Sequence, residues 1–197
     1  VKALAEKWFG DIPSGEKYQR QLPEEPEQLE SRFKEVRSNV PLDALYKCWH
    51  MDRRLDTGYY AADLITEVLG GGGSSRLYQQ LVKEQKLFSH IECYHMGSVD
   101  AGILTIEGKL VKGVKMEAAE AALGKILEKL QQDGVTEKEL QKVKNKTESA
   151  IAFEDMSIMA RANSLAFYEL LGDAALFNTD RERYAQLSRE DMLSFSR

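Results

Sequence analysis

All four prolines of this 197-residue chain lie within its first 41 positions, at Pro13, Pro23, Pro26 and Pro41. Proline removes a backbone donor and breaks helix interiors and central strands. Its concentration therefore divides the sequence into an interrupted beginning and a long remainder free to form regular structure. Val1 to Phe9 is amphipathic through Val1, Leu4, Ala5, Trp8 and Phe9, and reads as a helix end stopped at Gly10. Asp11 to Glu30 is polar, acidic and proline-bearing, as a linker is. The expected organisation is a helix end and inter-domain linker over 1–31, then one domain over 32–197 that lacks its last element. A start in mid-pattern at Val1, with no basic or apolar leader, reads as a piece of a longer protein.

Beyond the prolines, hydrophobic spacing assigns the elements. Arg32–Val36 alternates around Phe33, and Leu42–His50 follows the Asn39-Val40-Pro41 turn, which gives a strand pair. Phe88–Ser98 and Ala101–Val111, separated by Val99-Asp100, give a hairpin. In its second arm Gly102, Leu104, Ile106, Gly108 and Leu110 form one face, expected to pack on helices. Ile103, Thr105, Glu107, Lys109 and Val111 form the other, expected to meet water or a cavity. Helices are expected after Asp56 or Thr57, ending at Gly70, and from Arg76 to about Lys86 behind Ser74 or Ser75. Others follow along the Met116–Leu130 stripe, behind the Thr136/Glu139 capping box, over Ile158–Leu171 and over Arg189–Phe195. The order β-β-α-α-β-β-α-α-α-α predicts an α+β two-layer sandwich, a mostly antiparallel sheet with helices on one face. A hydrophobic share of 43% is enough to fill its core.

Several chemistries are excluded or poorly supported. A net charge of -5 does not suit a nucleic-acid surface, and Lys138, Lys142, Lys144 and Lys146 alternate with Glu137, Glu139 and Glu148 as a solvated face. No uninterrupted apolar run exceeds four residues, so no segment is suited to span a bilayer. The stretch His90-Ile91-Glu92-Cys93-Tyr94-His95 holds zinc-ligand types at the wrong spacing. Five residues separate the histidines, which is about 140° around a helix and opposite faces of a strand, so no metal site is assigned. Cys48 and His50 share a strand face but have no local third group to orient them, and no catalytic residue is assigned. The run Gly70-Gly71-Gly72-Gly73-Ser74-Ser75-Arg76-Leu77 joins helix to helix and lacks the lysine of a phosphate loop; it reads as an inter-helix turn ahead of a phosphate cradle.

The same run, continued through Tyr78-Gln79-Gln80-Leu81, resembles the C-terminal domain of the pitrilysin-type zinc metallopeptidases, a family that includes the mitochondrial processing peptidase. Trp8-Phe9-Gly10-Asp11-Ile12-Pro13 before the linker, and Gly134-Val135-Thr136 with Glu139-Leu140, match at the right intervals. The match is to the smaller bacterial members and covers nearly the whole chain.

The resemblance implies a clamshell of two similar α+β units. The family's zinc motif, His-x-x-Glu-His, belongs to the N-terminal unit and appears nowhere in this sequence. Zinc is thus expected in an N-terminal domain of the parent, with no cofactor in this segment. The expected role is a non-catalytic wall of the peptide-binding chamber; the alternative is a structural or assembly subunit that has lost proteolysis. Expected partners are the N-terminal domain of the same chain or a homologous subunit, and a peptide substrate. An exported or periplasmic location is expected if the source is bacterial. Candidate chamber-lining residues are Gly72, Gly73, Ser74, Ser75, Arg76, Lys83 and Phe88. The family's substrate-contacting arginine and tyrosine fall at Val82 and Ser89, which do not match, while Lys83 and His90 hold the same spacing one position later.

Overall fold

A computed structural model of the chain describes residues 1–16, 26, 28–97 and 99–197. It falls into two compact units, Val1–Asn39 and Val40–Arg197. Among its described residues the first contains one helix, α1 (Lys2–Phe9), with no buried residue. The linker expected over Asp11–Glu30 includes residues 17–25 and 27, which lie outside the described residues. The strand expected over Arg32–Val36 does not form. Phe33 is 84% exposed there, so a lone apolar side chain between charged neighbours had no face to bury.

In the second unit the chain order is β1 (Ala44–Met51), α2 (Thr57–Gly70), a π-helical segment (Tyr78–Glu84), β2 (Phe88–Met96) and β3 (Gly102–Leu110). It continues as α3 (Met116–Asp133), α4 (Glu137–Glu154), α5 (Ile158–Leu170), a 3-10 segment (Ala174–Thr179), α6 (Asp180–Gln186) and α7 (Arg189–Phe195). The strands form an antiparallel sheet in the order β1-β3-β2. This is the expected α+β arrangement, with one strand fewer among the described residues.

Strand parity decides what the sheet does. Leu104, Ile106, Gly108 and Leu110 of β3 and Ile91 and Cys93 of β2 are buried. They join Ala61, Leu64, Ile65 and Val68 of α2 and Ala119, Leu123, Ile126 and Leu130 of α3 in one core. Each such apolar side chain contributes about 1.5–3 kcal/mol by leaving water. Lys47 faces the same side and donates to Glu120 of α3 at 2.7 Å. The opposite face carries Tyr46, Cys48, Glu92, Tyr94, Thr105, Glu107 and Lys109, and Tyr46 is 57% exposed.

Two helical details depart from the sequence reading. The helix expected from Arg76 to about Lys86 widens into the π-helical segment, with the Gln85 amide donating to the Gln80 carbonyl at 3.0 Å. It ends at Glu84, and Lys86, two residues on, has a left-handed φ of 53°, a conformation costly for a residue with a Cβ. The short α6 was not anticipated.

Candidate functional site

The glycine turn is built by close approach. A Cβ on Gly70 would strike the Cys93 backbone nitrogen, so glycine lets the end of α2 press against β2. Gly72 has a φ of 83°, the left-handed region that favours glycine. The turn satisfies its own amides: Gly71 donates to Glu67, Gly72 to Gly70 and Ser75 to Gly72, at 2.9, 2.8 and 3.1 Å. Those three N–H groups are therefore not aimed outward as a phosphate cradle requires.

From this turn Arg76 reaches across to α4. Its Nε and Nη2 donate to Glu139 Oε1 and Oε2 at 2.7 and 2.8 Å, and Nη2 also donates to the Gly134 carbonyl at 2.9 Å. Glu139 is at the same time the reciprocal partner of Thr136 in the capping box of α4. The bonds from Arg76, with those from Thr136, hold its carboxyl down from 4.5 to about 2 although burial opposes this. Lys142 donates to Ser74 Oγ at 3.0 Å, a second tie between turn and helix. Gly72, Gly73, Ser74 and Lys83 are exposed. Ser75 is buried with its Oγ unpaired among the described residues, so it does not cap the following helix. Phe88 lies in the core, directly beneath Gly108. At the family's arginine and tyrosine positions, Val82 is half-buried and Ser89 donates to the Lys109 carbonyl at 3.0 Å.

A second constellation had no sequence signal. Arg54, just after β1, is largely buried, and its Nη2 donates to Tyr168 Oη at 2.6 Å and to both Asp180 oxygens at 3.0 and 3.1 Å. Tyr60 Oη donates to Asp180 Oδ1 at 2.8 Å. The guanidinium lies over the rings of Tyr59, Tyr60 and Tyr168 at 4.6, 5.1 and 5.4 Å from their centroids. Alongside, Asp63 accepts from Tyr184 Oη at 2.6 Å, and His95 Nε2 lies 3.1 Å from its other oxygen. Burial raises Tyr60 to about 12 and raises Tyr168 and Tyr184 as well. Burial also works to raise Asp63, but the bonds from His95 and Tyr184 outweigh it and leave the carboxyl below its usual range. A cleft of about 350 Å³ beside this cage is lined by Leu55, Thr57, Tyr60, Arg183, Gln186, Leu187 and Asp191. The partners of Arg54 lie 114 and 126 residues away, too far for any local pattern to announce them.

Neither constellation fits a zinc ion. His90 and His95 project from opposite faces of β2. Among the described residues no three of His, Cys, Asp and Glu converge as metal ligands. The chemistry offered is clamping: two arginine–carboxylate pairs, one fixing the glycine turn to α4 and the other fixing α6 to the connection between β1 and α2.

The sequence profile of the peptidase M16 inactive domain matches residues 1–147. This chain belongs to that family. It is 28% identical over 170 residues to YmxG of Bacillus subtilis (strain 168), described as an uncharacterized zinc protease, covering 84% of this chain and 40% of that protein. The chain thus spans about two fifths of the length of the curated relative it matches. Among solved structures, a protease from Helicobacter pylori superposes with a TM-score of 0.74 at 22% identity, over 81% of this chain and 39% of that one. An inactive peptidase domain from Bordetella parapertussis gives 0.70 at 22% identity, over 80% of this chain and 84% of that one. The M16 match takes in the glycine turn, the sheet and both residues of the Arg76–Glu139 clamp, whereas Tyr168 and Asp180, the partners of Arg54, lie beyond it.

Proposed function

We propose that this M16 inactive domain forms one wall of a peptide-binding chamber in a zinc metallopeptidase-like protein, whose zinc and general base belong to an N-terminal domain. The observation that carries the reading is the family match over residues 1–147, spanning the glycine turn and the whole sheet. The half-covered sheet supports it. One face is sealed by helices, while the other presents Tyr46 and Tyr94 on either side of Glu107, at 3.2 and 3.5 Å from its carboxylate. Aromatic rings with polar tips beside a carboxylate suit the side chains of a peptide lying across the face. Within the turn, Gly72, Gly73, Ser74 and Lys83 are the exposed candidates for peptide contact. Arg76 acts through the geometry of the turn, because Glu139 and Gly134 occupy its donors.

The expected result is that the purified chain neither cleaves a fluorogenic peptide nor binds zinc stoichiometrically, and that it restores neither property without an N-terminal M16 domain. Stoichiometric zinc with turnover by this chain alone would overturn the reading. A second reading, an assembly subunit without proteolysis, is favoured by Val82 and Ser89 at the positions of the family's arginine and tyrosine. Turnover by the whole protein, reduced by substitution at Ser74 or Lys83, separates the chamber wall from the assembly subunit.

A further inference from the structure

The cleft of about 350 Å³ beside the Arg54 cage draws its walls from three places in the chain. These are the β1–α2 connection with the start of α2, then α6 with Leu187 just after it, then the first turn of α7. Leu55, Leu187 and the Tyr60 ring give it an apolar lining, and of these Leu187 and Tyr60 are buried. A cleft of this size, apolar with a few convergent polar groups, has the form that small-molecule sites take.

Two charged side chains line the same cleft and are not spent on each other. Arg183 is half-buried and held in place: Nη1 donates to the Leu55 carbonyl at 2.8 Å, and the guanidinium lies 5.5 Å from the Tyr60 ring centroid. Its Nε and Nη2 find no acceptor among the described residues, whereas Arg54 and Arg76 each grip a carboxylate. Asp191 accepts from the Ser188 amide and hydroxyl through Oδ2, both at 2.7 Å, and Oδ1 accepts nothing among the described residues.

We infer that this cleft binds an apolar amino-acid zwitterion, its carboxylate held by Arg183, its ammonium by Asp191 and its side chain by Leu55, Leu187 and Tyr60. Charge selects the class. An isolated anion such as phosphate would gain the Arg183 fork but meet the Asp191 carboxylate, and a plain cation would meet the reverse. A ligand carrying both signs satisfies both walls. Volume selects the size: about 350 Å³ has room for a free amino acid or a dipeptide, which share these end groups and an apolar side chain. No residue of the open sheet face lines the cleft, and Arg183 and Asp191 lie beyond the family match over residues 1–147. The site therefore stands apart from the chamber wall. Bound there, the ligand joins α6 and α7 to the start of α2 and holds them against local opening.

The test is titration calorimetry of the 197-residue chain with leucine and with leucyl-leucine, read alongside hydrogen exchange. One of the two should saturate a single site with a dissociation constant on the order of 1 mM or tighter. Exchange should then slow in α6, α7 and the start of α2. Tighter binding of leucine assigns the site to free amino acids, and tighter binding of leucyl-leucine assigns it to dipeptides. Leucinamide lacks the carboxylate and N-acetylleucine lacks the ammonium, so each should bind about 10-fold or more weakly than leucine. These ligand comparisons leave the protein unaltered and decide the matter even where a variant does not fold. On the protein side, Asp191→Asn keeps an oxygen for Ser188, and Arg183→Met keeps an unbranched stem beside Tyr60. Each should weaken the better ligand about 10-fold or more with an unchanged circular dichroism spectrum. Absence of heat and of protection with both ligands, far above 1 mM, overturns the inference. So does leucinamide or N-acetylleucine binding as well as leucine, protection confined to the sheet or the glycine turn, or a preference for inorganic phosphate over leucine.

Discussion

Two arginines hold this domain together by the same chemistry in unequal surroundings. Arg76 grips Glu139 where the carboxylate is already engaged by a helix start, with side chains 14% and 25% exposed. Arg54 grips Asp180 between three tyrosine rings, with side chains 12% and 16% exposed. The first pair has a fallback, since Glu139 keeps Thr136 if Arg76 is lost. The second has little: its charge lies among rings, and Arg54 Nη1 is buried with no partner among the described residues. The same ion pair is thus an adjustable tie in one place and a structural commitment in the other.

The largest test of that contrast is Asp180→Asn. It keeps the shape but leaves Arg54 buried and uncompensated, and should cost about 3–5 kcal/mol in urea unfolding. A loss below 1 kcal/mol would mean that the rings alone hold the charge. Next comes Gly70→Ala, whose Cβ meets the Cys93 backbone rather than a movable side chain; it should cost about 1–3 kcal/mol and loosen the turn that Arg76 fastens. Glu139→Gln should cost about 1.5–3 kcal/mol by removing a charge-assisted bidentate bond.

The Glu139 variant also carries a pH signature. The folded carboxyl titrates at about 2 against 4.5 without its partners, so its contribution is complete above 4.5 and is lost as pH falls toward 2. The melting temperature of the parent should therefore decline across that window more steeply than that of Glu139→Gln. Parallel curves would show that the bond to Arg76 does not persist in solution. The smallest effect is Lys86→Gly, which touches neither clamp. Releasing a left-handed φ of 53° should stabilise the domain by about 0.5–1 kcal/mol, setting the scale of a purely backbone change.

Legibility in the sequence follows the range of the interaction. The Thr136/Glu139 capping box, the glycine turn and the parity of β3 are set by neighbours a few residues apart, and each stands in the structure where spacing put it. The α6 segment, Asp-Arg-Glu-Arg-Tyr-Ala-Gln, buries only Tyr184 and is too short to display a period. The π-helical segment is likewise silent, because Leu77 and Leu81 bury equally well in either helix. At the candidate site the Gly72–Ser74 surface could be located from sequence, whereas the Arg54 cage required folding across 126 residues to exist. Arg32–Val36 shows the converse error, since alternation around one phenylalanine supplies a pattern without a partner.

The sheet order β1-β3-β2 also sets a timetable. β2 and β3 are joined by a short connection and can pair within microseconds of appearing, as hairpins do. β1 leaves the ribosome ahead of both, yet its only described partner is β3, so Ala44 must wait for Lys109. Until then Leu45, Trp49 and Met51 form an unpaired apolar strand on a nascent chain. The β2–β3 pairing needs no contribution from β1, whereas β1 cannot join the sheet before β3 has been made.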